Sequence, residues 1–141
     1  MSTVLDAVEQ ESNRRREDRD CAVRAVAIAA DYEYDDVHYV FGRCGRVSRR
    51  GTQWHTTEKA IRMLRFKLVD VTDQFDSRTV RSLENEARWI KGRFLVKVRG
   101  HVLPLVDGIV HDWTQGRLHR IVAVYQLVEV DAEFHARNVR P

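Results

Sequence analysis

Between Cys21 and Ala30 the chain reads Cys-Ala-Val-Arg-Ala-Val-Ala-Ile-Ala-Ala, small or apolar at nearly every position and without Gly or Pro. Such a run predicts a helix buried on most of its circumference, because small side chains let it lie close to its neighbours. Asp18 or Asp20 is placed to cap its start. Val37, Val40 and Phe41 fall on one stripe of a second helix over Asp35–Gly42, and the Gly- and Arg-rich stretch 42–52 reads as a loop. Ala60, Ile61 and Leu64 recur at helical spacing behind Thr56 or Thr57, which predicts a third helix over Thr56–Leu64. Phe66–Val71 alternates apolar and polar residues as a strand does, and Arg78–Trp89 reads as a helix. Past Gly92 the period changes to two. Phe94–Val98, Val102–Val106, Ile109–Trp113 and Ile121–Val130 are the strands it predicts. Residues 1–12 form a loose or helical lead-in, and no repeat is present. The fold class expected is α+β, with N-terminal helices packed on a C-terminal antiparallel sheet.

The chain is 141 residues long, with 43% hydrophobic and 32% charged residues. Those values predict a single folded domain over 1–141, with 1–17 as a candidate flexible arm. No apolar run approaches the roughly 20 residues that span a bilayer, and Met1–Asp20 lacks the apolar segment of a secretory leader. A cytoplasmic location without membrane partners is the expectation (the host cytoplasm, were the chain phage-encoded). The basic residues are 20 Arg and 4 Lys. Arg14, Arg15, Arg16 and Arg19 form one cluster, and Arg43, Arg46, Arg49 and Arg50 another. Acidic Glu17, Asp18 and Asp20 interrupt the first, and no RNA-binding aromatic motif accompanies either. A solvated surface is expected ahead of nucleic acid.

Two cysteines, Cys21 and Cys44, allow neither a disulfide framework nor an all-cysteine zinc site. The six histidines show no metal-ligand spacing on a helix, so neither metal nor other cofactor is expected. What remains is a thiol with a chemical role. Cys21 opens the Ala-rich helix, where the macrodipole and unpaired N–H groups favour a thiolate, although Asp18 and Asp20 oppose this. A core packing role is the ordinary fate of such a cysteine, and a base is needed to change that reading.

Asp107-Gly108, set between two apolar runs, is a strong two-residue hairpin signal. If Val106 faces Ile109, then Leu103 lies opposite Asp112 and His101 opposite Thr114. Side chains alternate, so His101, Leu103, Val110 and Asp112 share one face while His111 points the other way. His101 and Asp112 become diagonal neighbours, within about 7–8 Å at Cα, and the carboxylate can fix the tautomer of the imidazole. Pro104 admits a bulge or an edge position that would alter this register. Trp54 and His55 are candidates to line a groove beside these groups, as are Tyr32 and Tyr34.

With Asp20-Cys21 opening the helix, Gly100-His101 starting a hydrophobic strand and Asp112-Trp113 closing the hairpin, the chain resembles the papain-like cysteine peptidases. It looks most like the small bacteriocin-processing (double-glycine leader) peptidase domains and their small phage and bacterial relatives. The likeness covers about Asp18 to Val128 and rests on three short motifs in the order Cys, His, Asp. It implies that Cys21 is the nucleophile, His101 the general base and Asp112 the group that orients it, acting on a protein or peptide substrate. It also implies an oxyanion hole made by the Cys21 N–H and an upstream side-chain donor. The family places a Gln about six residues before the cysteine; here Arg15 stands there, with Asn13 and Gln10 further back. Arg15 and Asn13 are therefore the oxyanion candidates. Ala22 replaces the Gly that commonly follows the cysteine. The alternative expectation is a papain-like scaffold of little activity that serves as a protein-binding module.

Overall fold

The computed structural model describes residues 3–15 and 17–130. Five helices and a 3-10 turn combine with five strands in the order α1 (Thr3–Arg14), α2 (Cys21–Ala30), α3 (Tyr34–Arg43), α4 (Trp54–Met63), β1 (Phe66–Asp70), the 3-10 turn Thr72–Gln74, α5 (Val80–Ala87), β2 (Arg93–Val98), β3 (His101–Val106), β4 (Ile109–Val110) and β5 (Ile121–Glu129). The strands form one antiparallel sheet in the order β1-β5-β2-β3-β4, an α+β architecture. Among the described residues no helix is long and apolar enough to cross a membrane.

Alternation along β2 decides which layer meets which face. Leu95 points into a core shared with α1–α4, while Phe94, Val96 and Val98 point into a second core completed by Val80, Leu83 and Ala87 of α5. The helix α2 is the keel of the first core. Ala22, Ala25, Ala27, Ala29 and Ala30 are all buried, so its backbone seats close to the sheet where Leu or Phe would hold it off. It ends at Asp31 in the left-handed region (φ 59°), with Tyr32 N–H bonded to Ala27 O at 3.0 Å.

Of the two readings of the lead-in, loose or helical, the structure has the helical one: α1 is regular and drives Val8 and Ser12 into the interior, so the described part of 1–17 is not a loose arm. The capping expectation fails. Asp20 stands at the N-cap of α2 but does not cap it with its side chain. That carboxylate is buried and accepts instead from Ser12 Oγ at 2.7 Å and Tyr34 Oη at 2.6 Å, tying α1 and α3 to the start of α2. Asp18 is exposed.

The expected hairpin is present in the expected register, with Val106 paired to Ile109 and Leu105 to Val110. Asp107 (φ 49°) and Gly108 (φ 82°) both take the positive φ of a type I′ turn. This tip docks on the end of α5, where a Cβ on Gly108 would sit 2.7 Å from Arg88 O and 2.8 Å from Ala87 O. Both obstacles are backbone. Gly108→Ala is therefore expected to cost about 2–3 kcal/mol, read as a lowered urea midpoint; a change under about 0.5 kcal/mol would mean the tip is not seated there.

Candidate active site

The expected strand Ile109–Trp113 is cut short, and Pro104 explains why. In a ladder closed by the 107–108 turn, Pro104 and His111 would exchange two hydrogen bonds. Pro104 accepts from His111 N–H at 3.2 Å but has no N–H to return, so β4 stops at Val110. Two consequences meet at one place. The chain turns away at Asp112, and the N–H of Val102, which would have paired further along, is left pointing past the sheet edge.

That N–H is taken by Cys21, the first residue of α2, whose thiol also bonds to His101. On the far side of the ring, His101 Nε2 lies 2.8 Å from Asp112 Oδ2, which leaves Nδ1 for the sulfur. The side chains of His101 and Asp112 are 14% and 10% exposed, dry enough for these contacts to be strong. The same carboxylate oxygen accepts from Thr114 N–H at 3.2 Å and Thr114 Oγ1 at 2.7 Å. Thr114 is fully buried, so Asp112 is held in place from behind. The Trp113 ring leans on His101 at 5.1 Å between centroids, half exposed toward solvent.

Burial on its own raises the Cys21 thiol, but the bonds from His101 and Val102 N–H outweigh it and bring the thiol below its usual range. Burial likewise opposes charge on His101, and the bonds to Asp112 and Cys21 overcome it and raise the imidazole to about 9. Both directions favour the thiolate–imidazolium pair over the neutral thiol and imidazole. Cys44 has no such company; it is the other free thiol and contacts Met63 Sδ at 3.3 Å.

Cys21 and His101 open on a cleft of about 630 Å³, lined by Trp54, Thr52, Lys97 and Trp113 among others, while Asp112 stands behind His101 and does not line it. Trp54 is thus at the groove as expected, though as the first residue of α4 rather than in a loop. His55 is exposed and outside it. Tyr34 is buried against Asp20, and Tyr32 donates to Leu64 O at 3.2 Å, so neither lines the cleft.

Neither upstream oxyanion candidate reaches the site. Arg15 is drawn to Asp35, with Nε at 2.9 Å and Nη2 at 2.8 Å from Oδ1, and it lines a separate cavity. Asn13 is exposed on α1 and lies off the cleft. The regular α1 is the cause: it commits the residues before Cys21 to helix packing and ion pairs. The Cys21 N–H remains, since the first helical bond of α2 is Arg24 N–H to Asp20 O at 2.9 Å and the N–H groups before it have no helical acceptor.

Sequence reasoning missed Thr114 and the Val102 N–H. The Asp-x-Thr spacing of Asp112 and Thr114 is a local signal for the first, because such pairs bond across two residues. Thr114→Val removes the 2.7 Å bond while keeping shape, and is expected to slow alkylation of Cys21 by about ten-fold. Alkylation rates followed against pH would measure it, with the His101 titration moving below 9 as Asp112 loosens.

Comparison of the chain with protein-family models, with curated proteins and with solved structures gives no match in any of the three.

Proposed function

We propose that this chain is a papain-like thiol hydrolase, a peptidase or isopeptidase of the cytoplasm, working through Cys21, His101 and Asp112. The observation that carries the reading is one imidazole placed between a helix-start thiol and a carboxylate, at the wall of an open cleft. The Cys21 thiolate attacks the amide carbonyl carbon, and the C–S bond forms as the oxyanion develops toward the first-turn N–H of α2. His101 gives its proton to the leaving nitrogen as the C–N bond breaks, leaving a thioester. Neutral His101 then takes a proton from water as the water oxygen attacks the thioester carbon, and collapse of that adduct breaks the C–S bond, releasing the carboxylic acid and leaving the thiolate–imidazolium pair.

The test is alkylation by iodoacetamide at pH 7. Cys21 is expected to react much faster than Cys44, and His101→Ala to remove the difference. Slow and equal reaction of the two cysteines overturns the proposal. A second reading, a papain-like scaffold that binds a protein partner, is favoured by one observation: Arg15 and Asn13 are both held away from the cleft. Losing one oxyanion donor costs on the order of 10²–10³-fold in turnover. Fast alkylation of Cys21 together with no detectable peptide hydrolysis selects the scaffold.

A further inference from the structure

Resting on the hydrolase reading, we propose that the cleft takes acyl substrates bearing a carboxylate close to the scissile carbonyl, held by Lys97 and Thr52. Lys97 stands on β2 directly across from Val102, the residue whose N–H meets the Cys21 sulfur. Cross-strand partners project to the same face, so the Lys97 stem rises beside the nucleophile. Its ammonium is steadied at 4.4 Å over the Trp54 ring, which is braced in turn on Tyr125 at 4.9 Å. A β-bulge at Lys97/Val98 in the pairing with β5 sets this stretch apart from a regular ladder.

An ammonium placed in this way holds its position without spending its charge on a carboxylate. Arg14, Arg15, Arg24 and Arg46 all have acidic partners, whereas no acidic group pairs with Lys97 among the described residues. The same cleft holds a second unmet demand. Thr52 Oγ1 is buried and has no hydrogen-bond partner, an arrangement that costs stability unless a ligand supplies one. Gly51, which also lines the cleft, leaves its wall open, since a Cβ there would meet nothing within 4 Å. A fixed cation at the cleft and an unpaired hydroxyl just beneath its wall, within reach after a turn of the Thr52 side chain, fit a carboxylate, which can accept from both. The carboxylate is either an acidic side chain or the free C-terminus of the substrate.

The experiment compares alkylation of Cys21 by two matched pairs of reagents: N-iodoacetyl-glycine against its amide, and N-iodoacetyl-glutamate α-amide against the glutamine counterpart. Each acid-to-amide ratio is divided by that for N-acetylcysteinamide, which removes intrinsic reactivity. At least one normalised ratio is expected near ten, falling toward one or two in Lys97→Met and recovering in Lys97→Arg, with a partial loss of about three-fold in Thr52→Val. Preference in the glycine pair alone assigns a C-terminal carboxylate, and preference in the glutamate pair alone an acidic side chain. The imidazolium also attracts anions, so a preference that survives unchanged in Lys97→Met overturns the proposal, as does a ratio of one in the wild type. Fast but charge-blind alkylation overturns the carboxylate preference only. Alkylation of Cys21 no faster than that of Cys44 by any reagent sinks the hydrolase reading and this proposal with it.

Discussion

His101→Ala is expected to lower amide turnover by on the order of 10⁴-fold, with Cys21 still present and the chain still folded. In the proposed mechanism one ring does three separate jobs. It stabilises the thiolate against the burial that raises the thiol, it supplies the proton to the leaving nitrogen, and it later draws a proton from water. Alanine removes all three. The pH profile separates this from a merely structural loss. The proposed mechanism requires Cys21 deprotonated and His101 protonated, so wild-type activity should rise with pH as the lowered thiol ionises and fall above about 9 as the imidazolium loses its proton. In His101→Ala the alkaline fall should vanish, and the acid limb of Cys21 alkylation should move up toward an ordinary thiol. A fall near 9 that persists in the variant would assign that titration to another group and undo the triad.

The imidazole is in place because of a residue that touches no substrate. Pro104 ends β4 after two residues, which lets Asp112 turn behind His101 and leaves the Val102 N–H for the sulfur. The same backbone event thus supplies both the orienting carboxylate and a donor to the thiolate. Thr114 completes the carboxylate's shell from a buried position. The Cys21–His101–Asp112 arrangement is a consequence of how one short edge strand stops.

Local signals are what the chain made readable. The Ala run of α2, the Asp107-Gly108 turn and the period-two stretches gave the α+β class, and the hairpin register placed His101 and Asp112 on one face. Pro104 read as the place where a bulge could alter the register; the register holds, and the strand ends at Val110 instead, which puts Asp112 in a turn. What escaped depends on groups far apart in sequence. Asp20 reads as a helix cap by position, yet its oxygens go to Ser12 and Tyr34, partners that only the packing of three helices brings near. Arg15 reads as a donor before Cys21, yet Asp35, 20 residues on, is the stronger attraction once α1 has formed. Strand order is equally silent, because β5 enters between β1 and β2 without any mark in its own residues.

Glu17→Gln is expected to be the most destabilising single exchange outside the cleft, at about 3–5 kcal/mol, or a fall in Tm of about 10 °C. Glu17 follows α1, and its side chain is 1% exposed. It accepts from Arg46 Nη1 at 3.0 Å and Nη2 at 3.1 Å and from Arg49 N–H at 2.7 Å, while His38 Nε2 lies 2.7 Å away. The Arg46 side chain is only 2% exposed, so glutamine would leave a buried guanidinium without its counter-charge. Burial pushes the Glu17 carboxyl up, but the bonds from Arg46, His38 and Arg49 N–H prevail and hold it at about 2 against an ordinary 4.5. Because the folded value lies below the unfolded one, this stabilisation is complete above about 4.5 and is lost as pH falls toward 2. A difference of that size corresponds to about 3 kcal/mol. Urea melts at pH 7, 4 and 2.5 should show the wild type losing this increment and Glu17→Gln losing little further. Arg46 and Arg49 belong to the loop that runs on to Gly51 and Thr52, so the same exchange should also loosen the cleft wall and slow Cys21 alkylation by the glycine and glutamate reagents. Equal acid sensitivity in the two proteins would show that the low-pH loss arises elsewhere.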